Sequence, residues 1–233
     1  MKNIYIIGDV HGCYKTLLAL INKLPNKFDS KICFVGDLID RGSNSKEIIK
    51  LIRDNNYDCV LGNHESYMID SLEKIIEDNS LVQSEKWTLK AGGIPTIKSY
   101  DNTEDILDDM YYLKTLPLFL EYKDYKINDN RYLVVSHSSV EAKWIYKDFP
   151  IDSKEYKELQ NSVLNGRYKN FDNKDIFNVY GHTPVNNVTS NSHQANIDLG
   201  CCYSKEQMLN PRLCALEFPS MKVYTQENIE AFL

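Results

Sequence analysis

The 233-residue sequence has no apolar run of membrane-spanning length, no Cys-x-x-Cys pair, no low-complexity tract and only five arginines. Each absence removes a class of protein. A helix needs about 20 consecutive apolar residues to cross a bilayer. The apolar run near the start, Ile4-Tyr5-Ile6-Ile7, is also too short for the core of a secretion signal. A cytoplasmic protein without a membrane partner is expected. Without paired spacing, Cys13, Cys33, Cys59, Cys201, Cys202 and Cys214 read as reduced thiols, not as a zinc or disulfide framework. Cys33 and Cys59 lie inside apolar runs and read as small core residues. The vicinal pair Cys201-Cys202 is unusual, and its simplest reading is two thiols at a loop or strand edge. With so few arginines and a formal net charge of −6, the chain is poorly suited to gripping a nucleic-acid backbone. Bound cations can still supply the charge that a phosphate substrate needs.

What is present is an ordinary globular composition, 42% apolar and 26% charged. The length is enough for one sizeable core, and a single domain over residues 1–233 is expected. Strands at 2–7, 31–35 and 57–61 alternate with helices at 13–24 and 43–53, the second capped by Ser43. This β-α-β-α-β order predicts consecutive parallel strands joined by right-handed crossovers. Residues 65–116 read as mostly helical. Met68, Leu72, Ile75 and Ile76 make one apolar stripe, and Ile106, Met110, Leu113 and Leu116 make another. A loop is expected between them, from Trp87 to Gly93, and the segment at about 66–116 should form a helical cap beside the site. The rest is strand-rich: 118–122, a hairpin turn at Asn128-Asp129-Asn130, then 132–136, 176–180, 195–199, 212–218 and 222–225, with a helix at 153–164. A parallel first half and a hairpin-rich second half predict an α/β (α+β) fold of two mixed sheets packed face to face, with helices outside.

The chemistry-bearing residues follow these strands. Gly8-Asp9-Val10-His11-Gly12 follows the first, Gly36-Asp37-Leu38-Ile39-Asp40-Arg41-Gly42 the second, and Gly62-Asn63-His64-Glu65 the third. Asp9 and Asp37 are 28 residues apart and Asp37 and Asn63 are 26 apart, each about one βαβ unit. Parallel neighbours bring the three loops to one edge, at their carboxyl ends, where open α/β sheets bind ligands. Two later apolar runs end in His137 and His182. Asp9, His11, Asp37, Asn63, His137 and His182 make an oxygen and nitrogen donor set without thiolate, suited to divalent Mn, Fe, Zn or Ni. Six ligands exceed the needs of one catalytic ion, so two are expected, with Mn the first choice. Asp37, from the middle strand, is the natural bridge. Asp9, His11 and Asp37 would hold one ion, and Asp37, Asn63, His137 and His182 the other, ~3.5–4 Å apart. A water between them would be acidic enough to give hydroxide near neutral pH. His64 directly follows a ligand. In a turn its side chain would point away from the metal, as a general acid for the leaving oxygen. Asp40 would orient it and hold it protonated. Arg41 would bind a phosphoryl group through its two-pronged guanidinium.

The motifs GDVHG, GDLIDRG, LGNHE, the SH at His137 and GHTPV resemble those of the calcineurin-like metallophosphoesterases. More narrowly they are similar to phosphoprotein phosphatases, including phage and bacterial serine/threonine phosphatases and symmetrical diadenosine tetraphosphate hydrolases. The resemblance spans about residues 4–218, with Trp87, Ala91-Gly92-Gly93, Thr96 and Ser99-Tyr100 similar to a W…NGG…T…SY segment of bacterial members. It implies a four-layer αββα sandwich, a dinuclear site and direct attack by metal-bound hydroxide. It carries the metal roles to Asp9, His11, Asp37, Asn63, His137 and His182, the acid pair to His64 and Asp40, and a phosphate contact to Arg41. Leu164-Asn165-Gly166-Arg167 resembles an LLWxR segment, which makes Arg167 the candidate for a second phosphate contact. Three positions depart from the pattern. Ser138-Ser139 replaces the usual AG after His137, Leu61 stands where many phosphatases carry Arg, and Pro184 stands where nuclease and cyclic-nucleotide branches carry a histidine. The implied activity is a metal-dependent phosphomonoesterase acting on phosphoserine and phosphothreonine in proteins. The alternatives are a symmetrical hydrolase of diadenosine tetraphosphate, a dinucleoside polyphosphate, and, from another class, a metal-binding module without turnover. Glu65, in GNHE and not GNHD, leans towards the phosphatases.

Overall fold

The computed structural model describes residues 3–167 and 170–230. In the first half, β1 (Ile4–Ile7) lies parallel to β2 (Ile32–Phe34), and β2 parallel to β3 (Asp58–Cys59). The crossovers are α1 (Tyr14–Ile21) and α2 (Ser45–Asp54). Side chains alternate across these strands. Ile4, Ile6, Cys33 and Val35 enter one core, while Tyr5, Ile7, Ile32 and Phe34 enter another. Both faces are covered, so these strands read as continuous apolar runs. Fully burying Ile6 contributes roughly 2 to 3 kcal/mol by removing its surface from water.

The elements differ from the expected ones where the site begins. β3 is only two residues long, because Leu61 turns away and donates its N–H to Pro117 O at 2.8 Å. α2 starts at Ser45 with Asn44 before it, not at Ser43, whose hydroxyl donates to Asn44 Oδ1 at 3.1 Å. The Ser45 hydroxyl instead faces inward, accepting from the Asp40 N–H at 3.3 Å.

Gly62-Asn63-His64-Glu65 is not a turn but the start of α3 (Asn63–Glu77). Gly62 caps it, and the Glu65 carboxylate reaches back to accept the Gly62 N–H at 3.0 Å. Met68, Leu72 and Ile75 are buried, whereas Ile76 is 41% exposed. A 3₁₀ turn (Asn79–Gln83), a π-helical turn (Trp87–Ala91), α4 (Ile94–Lys98) and α5 (Thr103–Leu113) follow. The expected loop at 87–93 is thus helical on either side of Gly92, whose φ of +84° makes the break.

The second half supplies β4 (Phe119–Lys126), β5 (Tyr132–Ser136), β6 (Ile176–Tyr180), β7 (Thr189–Ser190), β8 (Gln194–Asn196), β9 (Arg212–Phe218) and β10 (Lys222–Glu227). One sheet has the order β10-β9-β1-β2-β3 and the other β4-β5-β6-β8-β7, and both mix parallel and antiparallel pairs. α6 (Lys154–Asn165) starts at Ser153, whose hydroxyl accepts the Tyr156 N–H at 3.1 Å. Between the sheets, Ile4, Ile6 and Val35 meet Leu133, Val135 and Val179. Outside the first sheet, Leu17, Ile48, Met68 and Met110 bring in α1, α2, α3 and α5. Outside the second, Val134 and Ile176 meet Trp144, Leu159 and Val163. The fold is two mixed sheets flanked by helices. Among the described residues, no helix is long and apolar enough to cross a membrane.

Candidate active site

Asp9 and His11 leave β1, Asp37 leaves β2, Asn63 opens α3 after β3, His137 leaves β5 and His182 follows β6. All lie at one edge. Asp37 stands in the middle: its Oδ2 is 3.5 Å from His11 Nε2 and 3.8 Å from His64 Nε2, and its Oδ1 is 3.4 Å from His137 Nε2. The donor atoms of His11, Asp37 and His64 fall within 4.8 Å of one another, as do those of Asp37, His137 and His182. One carboxylate is therefore common to both groups. Asn63 Oδ1 joins the second, 2.8 Å from His137 Nε2 and 2.9 Å from His182 Nδ1.

The hydrogen bonds behind these rings determine which atoms face inward. His137 Nδ1–H donates to Val35 O at 2.9 Å, and His11 Nδ1–H donates to Ile39 O at 3.0 Å. A carbonyl only accepts, so each Nε2 turns a lone pair towards Asp37. Burial holds the rings of His11 and His137 neutral, and burial together with His137 lowers His182 to about 4. Burial alone would raise the Asp37 carboxyl, but His137, His64 and His11 outweigh it and hold the group well below the usual range. Asp9 goes the other way, raised by burial and by Asp198 and Asp37. Two carboxylates, an amide oxygen and neutral imidazoles thus converge with more lone pairs than protons. A divalent cation fits that donor set.

One placement, that of His64, differs from the expected division, while Asp9 is held at the edge by a backbone contact. Asp9 is 2% exposed, and its carboxylate accepts the His182 N–H at 3.1 Å and 3.2 Å. Only glycine fits at 181, because a Cβ there would overlap that carboxylate. His64, expected to point away from the metal, places its Nε2 beside His11 and Asp37.

His64 Nδ1–H donates to Asp40 Oδ2 at 2.6 Å. Asp40 is fully buried and well held: Trp87 Nε1–H donates to both its oxygens at 2.9 Å and 3.0 Å, and the Thr96 hydroxyl donates to Oδ1 at 2.7 Å. Burial works against a charged His64, but Asp37 and then Asp40 outweigh it and raise its pKa. Arg41 is exposed. Its Nη1 donates to His11 Nε2 at 3.1 Å and to Cys202 Sγ at 3.4 Å, and its Nη2 lies 3.2 Å from His64 Nε2. All six thiols are free.

The backbone here is strained. His11, Asp37, Asp40, Arg41 and His182 have φ of 48°, 49°, 74°, 68° and 70°. Each costs an L-residue roughly 1–2 kcal/mol, and such residues persist only where the surroundings over-determine them. Glu65 is the restraint at Asp37. Its carboxylate accepts the N–H groups of Asp37 and Leu38 at 2.8 Å each and of Ile39 at 3.3 Å, besides that of Gly62.

A cavity of about 280 Å³ opens over this edge. Asp37, Asn63, His64 and His182 form its floor, and Arg41, Lys86, Lys90 and Arg167 bring four cations to its walls, with Tyr67 and Tyr203. Arg167 is exposed, just beyond the end of α6. Lys86 Nζ lies 4.0 Å from the Tyr67 ring centre. Sequence reasoning passed over Lys86 and Lys90, although their i, i+4 spacing was a usable signal. It placed Trp87 in a loop and gave Glu65 no structural task. Of the departures, Ser138 donates its hydroxyl to Gly166 O and its N–H to Val163 O, tying the end of β5 to α6. Leu61 packs against the Val134–Trp144 cluster under α6.

The sequence profile of the calcineurin-like phosphoesterases matches residues 2–210. Curated relatives include the bis(5'-nucleosyl)-tetraphosphatase PrpE [asymmetrical] of Anoxybacillus flavithermus, 25% identical over 97% of this chain and 98% of that one. The protein of the same name from Geobacillus sp. is 26% identical over 97% and 98%. Among solved structures, a candidate diadenosine tetraphosphatase superposes with a TM-score of 0.63 at 19% identity, over 99% of this chain and 95% of that one. A protein serine/threonine phosphatase from Saccharomyces cerevisiae does so at 0.58 and 17%, over 99% and 81%.

Proposed function

The chain belongs to the calcineurin-like phosphoesterase family, metal-dependent phosphoric ester hydrolases, and from that premise we propose that it hydrolyses dinucleoside tetraphosphates. The observation that carries this reading is the set of four cations, Arg41, Lys86, Lys90 and Arg167, around a cavity above the Asp37 edge. A phosphomonoester needs one or two such contacts, whereas a tetraphosphate chain presents four charged groups in a row. Relatives matched along their whole length and named tetraphosphatases support the same reading. The phosphoserine and phosphothreonine expectation keeps only a likeness of fold. The relatives' names also carry the word asymmetrical, where a symmetrical cleavage was expected. We adopt the asymmetrical outcome, a nucleoside triphosphate and a monophosphate.

His11, Asp37, Asn63, His137 and His182, with Asp9 behind them, would hold two divalent ions, with Mn the first choice. When bound, these supply Lewis acidity to a phosphoryl oxygen and lower the pKa of a water. The chain's own residues do the rest. The Arg41 Nη1 and Nη2 groups present a fork to two phosphoryl oxygens. His64 Nε2 delivers a proton to the leaving oxygen, and Asp40 stabilises the charged ring through Nδ1–H. Trp87 and Thr96 hold Asp40 in place, which supports treating the cap and the sheets as one domain. Lys86, Lys90 and Arg167 neutralise the remaining phosphates. Purified protein with added Mn, offered diadenosine tetraphosphate, a phosphopeptide and p-nitrophenyl phosphate, should prefer the dinucleotide and release ATP and AMP, resolved by ion-exchange chromatography. A preference of tenfold or more for the phosphopeptide, or two ADP as products, would contradict this reading.

A further inference from the structure

The phosphate cavity shares two wall residues, Pro184 and Tyr203, with a second recess of about 760 Å³. That volume lies within the roughly 300–1,000 Å³ of small-molecule sites. The recess runs between the segment after His182, with Pro184, Val185 and Asn187, and the loop that carries Tyr203, Gln207 and Met208. We propose that it seats one nucleoside of the dinucleoside polyphosphate, an inference that rests on the function proposed above.

Continuity is the first argument. The Arg41 guanidinium lies over the Tyr203 ring, 5.6 Å from its centre, and Pro184 is two residues from His182. A phosphate chain held on Arg41 therefore leads past Tyr203 into the recess. Charge is the second. The phosphate cavity has four cations in its walls, and the adjoining recess has no charged residue among its lining residues. Charged and uncharged parts of one substrate map onto the two spaces.

The lining chemistry suits a base. Tyr203 offers an aromatic face, and Pro184, Val185 and Met208 offer apolar contact. Around them the amide oxygens of Asn187 and Gln207 each already accept a hydrogen bond. Arg212 Nη2 donates to Asn187 Oδ1 at 3.0 Å, and the Ser204 N–H donates to Gln207 Oε1 at 3.0 Å. The NH₂ groups of Asn187 and Gln207 remain to be offered, and such donors match the ring nitrogens of a purine. The loop is pre-folded. Gly200 turns it with φ +67°, the Tyr203 N–H donates to Gly200 O at 3.0 Å and the Met208 N–H to Ser204 O at 3.0 Å. A Cβ at Gly200 would collide with the Met208 sulfur.

Two variants test this: Val185→Trp, which fills the recess, and Gln207→Ala, which removes an exposed amide without touching the core. The quantity read is kcat/KM for diadenosine tetraphosphate divided by kcat/KM for p-nitrophenyl phosphate, which carries no nucleoside, both with Mn. The ratio should fall about tenfold in Val185→Trp, mostly through KM, and about threefold in Gln207→Ala. Photolabelling with an 8-azido analogue of the dinucleotide should mark peptides 184–189 or 203–209. A ratio within about twofold of wild type in both variants, with labelling elsewhere, overturns the proposal alone. Wild-type protein that turns over no dinucleotide overturns the proposed function and this inference with it. A loss confined to phosphopeptide turnover assigns the recess to a peptide and overturns it too.

Discussion

Asp37, Asn63 and His64 are 2%, 6% and 4% exposed, while Lys86, Lys90 and Arg167 line the same cavity from solvent. The first group is placed by strand ends, left-handed backbone and buried hydrogen bonds. The second rides on a helical turn and on the end of α6, free of comparable restraint. Their separation assigns different tasks. In the proposed function the edge breaks a phosphate bond, and the rim selects whose phosphate it is. A rim can change with little effect on folding, because exposed substitutions mostly cost little. An edge cannot, because each of its groups is also a buried polar partner of another.

The hardest way to break this contrast is Asp37→Asn. Asp37 is shared by both donor groups, so the variant should lose bound metal and activity together, with kcat down on the order of a thousandfold or more. Elemental analysis beside kinetics checks this, and full metal occupancy with normal rate would remove Asp37 from the centre. Next comes Glu65→Gln, which turns one acceptor oxygen into a donor facing backbone N–H groups. We expect a loss of about 3 kcal/mol in urea unfolding, a purely structural defect at the edge. A smaller and more selective change is Asp40→Asn. Asp37 and Asp40 raise the His64 pKa against burial, so removing the Asp40 charge lowers it. An acid must be protonated to act. The alkaline fall in activity should therefore begin at lower pH, with kcat reduced roughly tenfold at neutral pH and metal retained. An unmoved alkaline limb would deny His64 that role. The mildest is Lys86→Ala with Lys90→Ala. KM for a dinucleoside tetraphosphate should rise about threefold and lose part of its salt dependence, with kcat and stability unaltered. If kcat falls instead, the rim takes part in the chemistry.

The edge was legible in the sequence because its signals are local. An apolar run, a glycine or serine and a ligand recur five times, and parallel strands bring their ends together. The β-α-β-α-β order and the hairpin around Asn130 could be read for the same reason. What was not legible depends on tertiary partners. GNHE reads as a turn until Glu65 is seen reaching both Gly62 and the segment 37–39, the third-position acid of a helix start being the one available sign. Trp87 reads as a loop residue until its indole meets Asp40, 47 residues away in the chain. Ser43 reads as the cap, but the helix starts two residues later, after Asn44, with the Ser45 hydroxyl turned into the Asp40 network. Arg167 came from a resemblance alone, and nothing in local pattern places it over the cavity.

The chain contains two tryptophans, and the fold gives them unlike surroundings. Trp144 packs against Phe119 on the outer layer of the second sheet, whereas the Trp87 indole donates to the carboxylate that holds His64. With Trp144 replaced by Phe, ultraviolet emission would come from one buried ring hydrogen-bonded to Asp40. Its colour and lifetime would follow the charge on that carboxylate, so that the proton balance of the site could be watched without a label while substrate arrives and products leave.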